Sequence, residues 1–336
     1  MRDGTGLGFC SGRSPWLGPH VWSRCAAVWA DVQRRLAGAA PAEKSIKHIK
    51  IETLLSQKDT LGDDQPESDF HARRHPLGPL SRLAQGTLDR LVLVHRLREV
   101  SAQLGFTRFE AVMPDTEGEP ELDLDVERAP LSRDQTWLPA TENRGEGIFL
   151  SFSGEAIAAW QRRPAVRRRS EQLMAGFDVW KGRKRIEDAS FPGLPNILLQ
   201  SLSHLLITTL SLDCGYSASA LRERVHASSK SGYGILLYTS ALGSEGSLGG
   251  LVEMGKNIGR LLDRALELGH LCSNDPVCAQ HDPADPHEER FLPGAACHGC
   301  LLIAETSCER RNELLDRALV VPTVATPDAA FFDERA

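Results

Sequence analysis

The sequence has no uninterrupted apolar stretch long enough to cross a bilayer. Its longest hydrophobic run, Ile197 to Leu212, is broken by Gln200, Ser201, Ser203 and His204, so neither a membrane span nor membrane attachment is expected. The N-terminus, MRDGTGLGFCSGRSPW, lacks the apolar segment of a secretory signal. No GxxxxGK[ST] loop is present, so the lysine and hydroxyl that hold nucleotide phosphates and magnesium are missing. There is also no HExxH, no Ser/His/Asp order, no convergent carboxylate pair and no internal repeat, and the chain is read as a non-enzyme. The net charge of -6 excludes a uniformly basic nucleic-acid binder.

What the sequence does have is cysteine, concentrated near its C-terminal end. Eight occur in 336 residues, and five lie between Leu271 and Asp316. Without a secretory signal they indicate a reducing, cytoplasmic setting, where clustered thiols serve metals more often than disulfides. Cys297 and Cys300 form a CxxC knuckle with Gly299 at its turn, the spacing that lets two sulfurs face one zinc ion. Thr306 and Glu309 fit a capping box, which would place Cys308 in the first turn of a helix as a third ligand. The fourth comes from upstream. Cys278 is preferred and Cys272 is the alternative, because Cys278 follows the Asp275-Pro276 break. The expected ligand set is therefore Cys278, Cys297, Cys300 and Cys308. A redox CxxC would follow a strand and open a helix, and LPGAA before the knuckle does not suit that. His281, His287, His298 and Glu305 lie close in sequence and would serve a catalytic zinc, but read better as surface residues.

Four pieces carry a resemblance: GILLYTSALGSEGSLGGLVEMG, CSNDPVC, GAACHGCLLIAETSCERRN and LLDRALVVP. Together they resemble the zinc-binding domain named for the MrfA repair helicase. With HRLREV and GFTR they are similar to the narrower DrmB family, accessory subunits of the DISARM anti-phage defence system. The resemblance runs from about residue 86 to 325. It implies a Zn2+-binding, helicase-associated subunit that works on DNA beside a separate helicase. The stretch CSGRSPWLGPHVWSRC, bearing Cys10 and Cys25, resembles the end of the family's N-terminal region, so a shortened N-terminal side is expected.

Along the chain, residues 1 to 85 show little periodicity beyond Val21 to Leu36 and are expected to form a poorly ordered arm. Residues 86 to 190 are expected to be a mixed α+β region. Within it, Leu88, Leu91, Val92, Leu97, Val100 and Leu104 share a helical face, which predicts a helix over 86 to 104. The acidic run Glu121 to Glu127 alternates as a half-buried strand does, and GIFLSF at 147 to 152 reads as a buried strand followed by a Ser153 cap. Nine Lys or Arg then fall between Gln161 and Arg185 against Glu171 and Asp178, a local balance of +7. Of these, Arg167, Arg168, Arg169, Lys181, Arg183 and Lys184 are the candidate nucleic-acid contacts, the bland alternative being a solvated helix face.

From residue 191 to 325 a helix-rich zinc lobe is expected, giving an α+β fold overall. Leu194 to Leu212 reads as a core helix, with His204 a hydrogen-bonded core residue. A short helix is predicted near Leu221 to Val225, a strand over Tyr233 to Ser240, a Gly-Ser loop from Leu242 to Gly250, and a helix carrying Ile258, Leu261, Leu262, Ala265 and Leu266 on one side. Besides the defence subunit, two readings stay open: a free-standing DNA repair accessory with the same domain, and a zinc-dependent hydrolase or nuclease.

Overall fold

The computed structural model describes residues 46–103, 105–106, 129–131, 138–184, 189–239, 250–285 and 292–333. Cys10, Cys25, the 121–127 strand, Arg185, His287 and the loop from Leu242 to Gly249 lie outside the described residues. The chain divides into two units. Of the described residues, the larger holds 50–99, 143–184, 189–239, 250–285 and 292–333, which include both cores and the cysteine turns. In the smaller, Phe106 and Ala129 exchange backbone hydrogen bonds of 3.2 and 2.9 Å.

The fold is α+β. Strands β1 (Thr60–Gly62), β2 (Phe70–His75), β3 (Leu88–Ala102), β4 (Ala140–Phe152), β5 (Leu221–Ser228) and β6 (Gly232–Thr239) form one six-stranded sheet in the order β1-β2-β3-β4-β6-β5. The pairs β1/β2, β2/β3, β4/β6 and β5/β6 are antiparallel. Helix α1 (Ile46–Leu55) precedes the sheet; α2 (Gly154–Gln161) and α3 (Pro164–Lys184) follow β4; α4 (Leu194–Cys214) leads to β5; α5 (Gly250–Gly255) and α6 (Ile258–Gly269) follow β6.

Both faces of the central strands are covered. Ile148, Leu150 and Phe152 of β4 and Ile235 and Leu237 of β6 point into the main core with α4 and α6, whereas Phe149, Leu236 and Tyr238 meet Ile51 and Leu54 of α1 on the other face. A strand buried on both faces reads as a continuous apolar run. That is why GIFLSF was legible as a strand, and also why β3 was not. In β3, Leu91 and Leu93 enter the main core while Val92 and Val94 enter the second, an alternation of two that a helical count over LVLV conceals. The helix expected over 86 to 104 is therefore a strand. The short helix near Leu221 is likewise a strand: Leu221, Glu223 and Val225 face inward in β5 while the residues between them are half-buried.

The expected arm is structured where it is described. Residues 46 to 75 supply α1, β1 and β2, too short and too polar for periodicity to reveal. The expected boundary at 190/191 crosses a continuous sheet, since β4 before it pairs with β6 after it from Gly147/Tyr238 to Phe152/Tyr233.

Helix α4 is the spine. Pro195 lies in its first turn, Gly193 precedes it at φ 83, and Gly215 ends it in the left-handed conformation at φ 71. Its length and composition would suffice for a bilayer, but sixteen of its residues are buried within the protein, including Gln200, Ser201, Ser203 and His204. Ser153 caps α2 as expected, its hydroxyl accepting from the Ala156 N–H at 3.3 Å. Trp160 of α2 donates to the Ala329 carbonyl at 2.8 Å, and Arg163 to that of Ala330 at 3.0 Å, fastening the segment beyond residue 328 to the helices.

Candidate metal centre

After α6 the chain leaves regular structure and makes two tight turns that face each other. In the first, Asp275 N–H donates to the Cys272 carbonyl at 3.2 Å and Cys278 N–H to that of Asn274 at 3.0 Å, which brings Cys272 and Cys278 to one side. In the second, the Cys300 and Leu301 N–H groups both donate to the Cys297 carbonyl, at 3.1 and 3.0 Å. Gly299 is needed there because a Cβ would lie 2.7 Å from Ser273 Oγ of the opposing turn.

The four sulfurs meet within 4.8 Å of one another. Cys272 and Cys297 are 3.5 Å apart, Cys278 and Cys300 3.8 Å, and Cys297 and Cys300 3.7 Å. A regular tetrahedron with zinc–sulfur bonds of about 2.3 Å has sulfur–sulfur edges of about 3.8 Å. N–H donors surround the cluster: Gly299 and the Asn274 amide each reach Cys297 Sγ at 3.3 Å, and the Cys297 N–H reaches Cys300 Sγ at 3.4 Å. The Cys278 thiol hydrogen bond drops Cys300 to about 5 despite burial, while Cys278 itself is driven up by that contact and by burial. Burial chiefly lifts Cys272 to about 11. The Cys300 thiolate forms readily, while Cys272 and Cys278 resist. A divalent cation removes that resistance, because it compensates the mutual repulsion of the sulfurs.

The turns are anchored from below. Arg317, 1% exposed, holds both Asp275 carboxylate oxygens at 2.7 and 2.8 Å and the Gly269 carbonyl at 3.1 Å. Asp316, fully buried, accepts from the Ala295 N–H at 3.0 Å just ahead of Cys297 and is paired at 2.7 Å with Arg169 of α3.

Two expectations are thereby corrected. Cys308 is not in this cluster, and Cys272 and Cys278 are both in it rather than competing for one place. No helix starts at Cys308: residues 305 to 312 are turns, and Glu309 accepts from the Val225 N–H at 2.8 Å instead of capping a helix. Cys308 belongs to a second buried group with His204 and Glu223. Sequence spacing did not find that group, although the polar residues interrupting α4 were its signal. Among the described residues no histidine joins the four sulfurs: His281 is buried outside the cluster, and His298 and Glu305 are exposed.

The basic stretch divides as well. Arg169 is 3% exposed and its ion pair is with Asp316, so it is not a phosphate contact; its place in α3 turns it toward the core. Lys181 donates to the Ala189 carbonyl at 2.9 Å. Arg167, Arg168 and Arg183 are exposed, and Lys184 is the last residue of α3. The N-terminus of α5, which follows the Gly-Ser loop, is occupied by the protein's own Glu146, which accepts from the Leu251 N–H at 2.8 Å.

This is the arrangement of a closed four-sulfur zinc domain, and residues 202–301 match the MrfA Zn-binding domain. That match takes in Cys272, Cys278, Cys297 and Cys300 and stops before Cys308. Over 251 residues, 74% of its length, the chain is 40% identical to the DISARM protein DrmB of Bacillus paralicheniformis (strain ATCC 9945a / NCIMB 11709 / CD-2). The chain is thus DrmB-like and carries an MrfA-type zinc-binding domain. It spans 43% of that protein's length.

Proposed function

We propose that this chain is a non-catalytic, zinc-stabilised subunit of a bacterial phage-defence complex that works with a separate helicase on DNA in the cytoplasm. The observation that carries the reading is the closure of the metal site within a DrmB-like chain. Four cysteines complete a tetrahedral shell, and a zinc so enclosed has no open position for water or substrate, which is the condition of a structural ion. Among the described residues the sulfur cluster includes no histidine or carboxylate, which supports a structural ion over a zinc-dependent hydrolase. Exposed Arg167 and Arg168 on α3 are the side chains this reading offers to a phosphate backbone.

The test is reconstitution with any helicase found encoded beside this chain. Co-elution of the two is expected, with DNA-dependent ATP hydrolysis only when the helicase is present. ATP hydrolysis or DNA cleavage by the zinc-loaded chain alone, free of contaminating nuclease, would overturn the non-catalytic reading. Failure to associate with any neighbouring helicase, with or without DNA, would favour the free-standing repair accessory.

A further inference from the structure

The group that took Cys308 away from the sulfur cluster is itself built like a metal site. His204 of α4 and Glu223 of β5 are fully buried, and Cys308 is 8% exposed. The three offer one nitrogen, one oxygen and one sulfur, all within 4.8 Å of one another. The His204 Nδ1 lies 2.8 Å from the Leu301 carbonyl, a partner that accepts a hydrogen bond and so fixes the proton on that nitrogen. Nε2 is the nitrogen turned toward the other two groups, paired with Glu223 Oε1 at 3.3 Å. An imidazole held by a backbone carbonyl, with its other nitrogen turned to a cluster, is the usual posture of a metal-ligating histidine. The 3.3 Å separation is also about the edge of a tetrahedron whose bonds to nitrogen and oxygen are near 2.0 to 2.1 Å.

A second observation is independent of that triangle. The chain after Cys308 is bent around its sulfur: the Arg310 and Asn312 N–H groups point at Sγ from 3.3 and 3.2 Å. To do this Arg311, Asn312 and Leu314 adopt positive φ of 53, 62 and 55, the only non-glycine residues to do so among the described residues. A non-glycine residue in that region is strained and persists only where surrounding structure holds it. N–H groups converging on a sulfur are also what the four-cysteine site shows at Cys297 and Cys300. They stabilise a thiolate rather than a neutral thiol.

A third observation supplies the remaining corner. The Gln200 amide lies one turn before His204, with Nε2 3.2 Å from Cys308 Sγ and 3.5 Å from His204 Nε2, and it also donates to Glu223. Its Oε1 is buried without a hydrogen-bond partner. A half-turn of the amide exchanges the two atoms and presents that oxygen to the same point. A buried Cys–His–Glu arrangement is also that of a thiol nucleophile with its base, but the depth of all three residues leaves no approach for a substrate.

We infer that His204, Glu223 and Cys308, with the Gln200 amide as fourth donor, form a second transition-metal site that takes a zinc-like divalent ion and locks α4, β5 and the turn after the CxxC knuckle together. A thiolate and a carboxylate neutralise a divalent ion, the condition under which such a group is tolerated in a core.

The experiment uses the full chain, isolated with its metal. Elemental analysis should give two zinc ions per chain, and zinc-edge X-ray absorption should give a mixed shell of sulfur with nitrogen or oxygen. One zinc with a sulfur-only shell overturns the inference without touching the four-cysteine site. Zinc absent altogether overturns both. Cys308→Ser and Glu223→Gln should each lower the content from two to one, the residual ion showing a four-sulfur spectrum; Cys300→Ser should leave the mixed-ligand ion. Retention of both ions by Cys308→Ser and Glu223→Gln would also sink the proposal. If these variants do not fold, the wild-type stoichiometry and shell decide it.

Discussion

The two-faced sheet and the cysteine turns are solutions to opposite problems. Around β4 and β6 the chain supplies enough apolar side chain to fill both faces, so Phe149, Ile148 and Leu237 need only alternate correctly to be held. Among the described residues between 270 and 310 there is no helix or strand, and order there rests on thiols, Arg317, Asp316 and backbone N–H groups aimed at sulfur. The first region would survive the loss of any single contact with a graded cost. The second depends on a few charged groups and a metal, whose removal leaves neighbours repelling or unpaired. Burial is additive to first order, whereas a coordination shell is completed or lost as a unit.

The sharpest test of that contrast is removal of the metal. Chelation, or Cys300→Ser, should abolish zinc at the four-cysteine site and lower the melting temperature, because structural zinc sites contribute apparent free energies of about 10–16 kcal/mol in small domains. Amide exchange should then rise across 271–303 before it rises in β4 and β6. Equal protection with and without zinc would show that the turns hold themselves. Within the site, Cys272→Ser and Cys278→Ser should each lose zinc to the same extent, measured as metal per chain. Retention by either one would mean that only three sulfurs bind.

Next in size are two variants that strike the regions separately. Phe149→Ala should cost about 3–5 kcal/mol of unfolding free energy while leaving zinc bound in the folded protein. Arg169→Gln should cost about 3–5 kcal/mol through the stranded Asp316 carboxylate, and should also weaken zinc retention, since Asp316 supports the strand of chain leading into Cys297. Denaturant unfolding with metal analysis reads both. If Arg169→Gln melts like the parent, the buried pair is not an anchor. The smallest effect is expected on α3's outer face. Replacing Arg167 and Arg168 together by Gln should leave melting unchanged, and if DNA is bound there it should flatten the log-affinity against log-salt slope by roughly 2 units. An unchanged slope would make these arginines a solvated face.

Much of the architecture was open to inspection in the residues. The GIFLSF strand, the α4 spine and the α6 stripe declare themselves because each buries a continuous run or one helical face. The strand β3 does not, because two apolar covers on opposite faces erase the alternation that identifies a strand. Arg167, Arg168 and Arg169 are indistinguishable as letters. Only the direction of α3 against the core makes the third a buried partner of Asp316, 147 residues away, and leaves the other two in water.

For the metal, the sequence by itself determined the chemistry: five closely spaced cysteines and a CxxC knuckle define a thiolate zinc site whatever the fold. Which four sulfurs meet was decided by tertiary structure. Cys308 is only eight residues from Cys300, closer in sequence than either Cys272 or Cys278, yet the turns at 272–278 and 297–300 face each other while the chain after Ile303 bends toward α4 and β5. Sequence distance limits which groups can meet. The packing of α4 against β5 and β6, together with contacts such as Gln200 to Cys308 across 108 residues, selects which of them do.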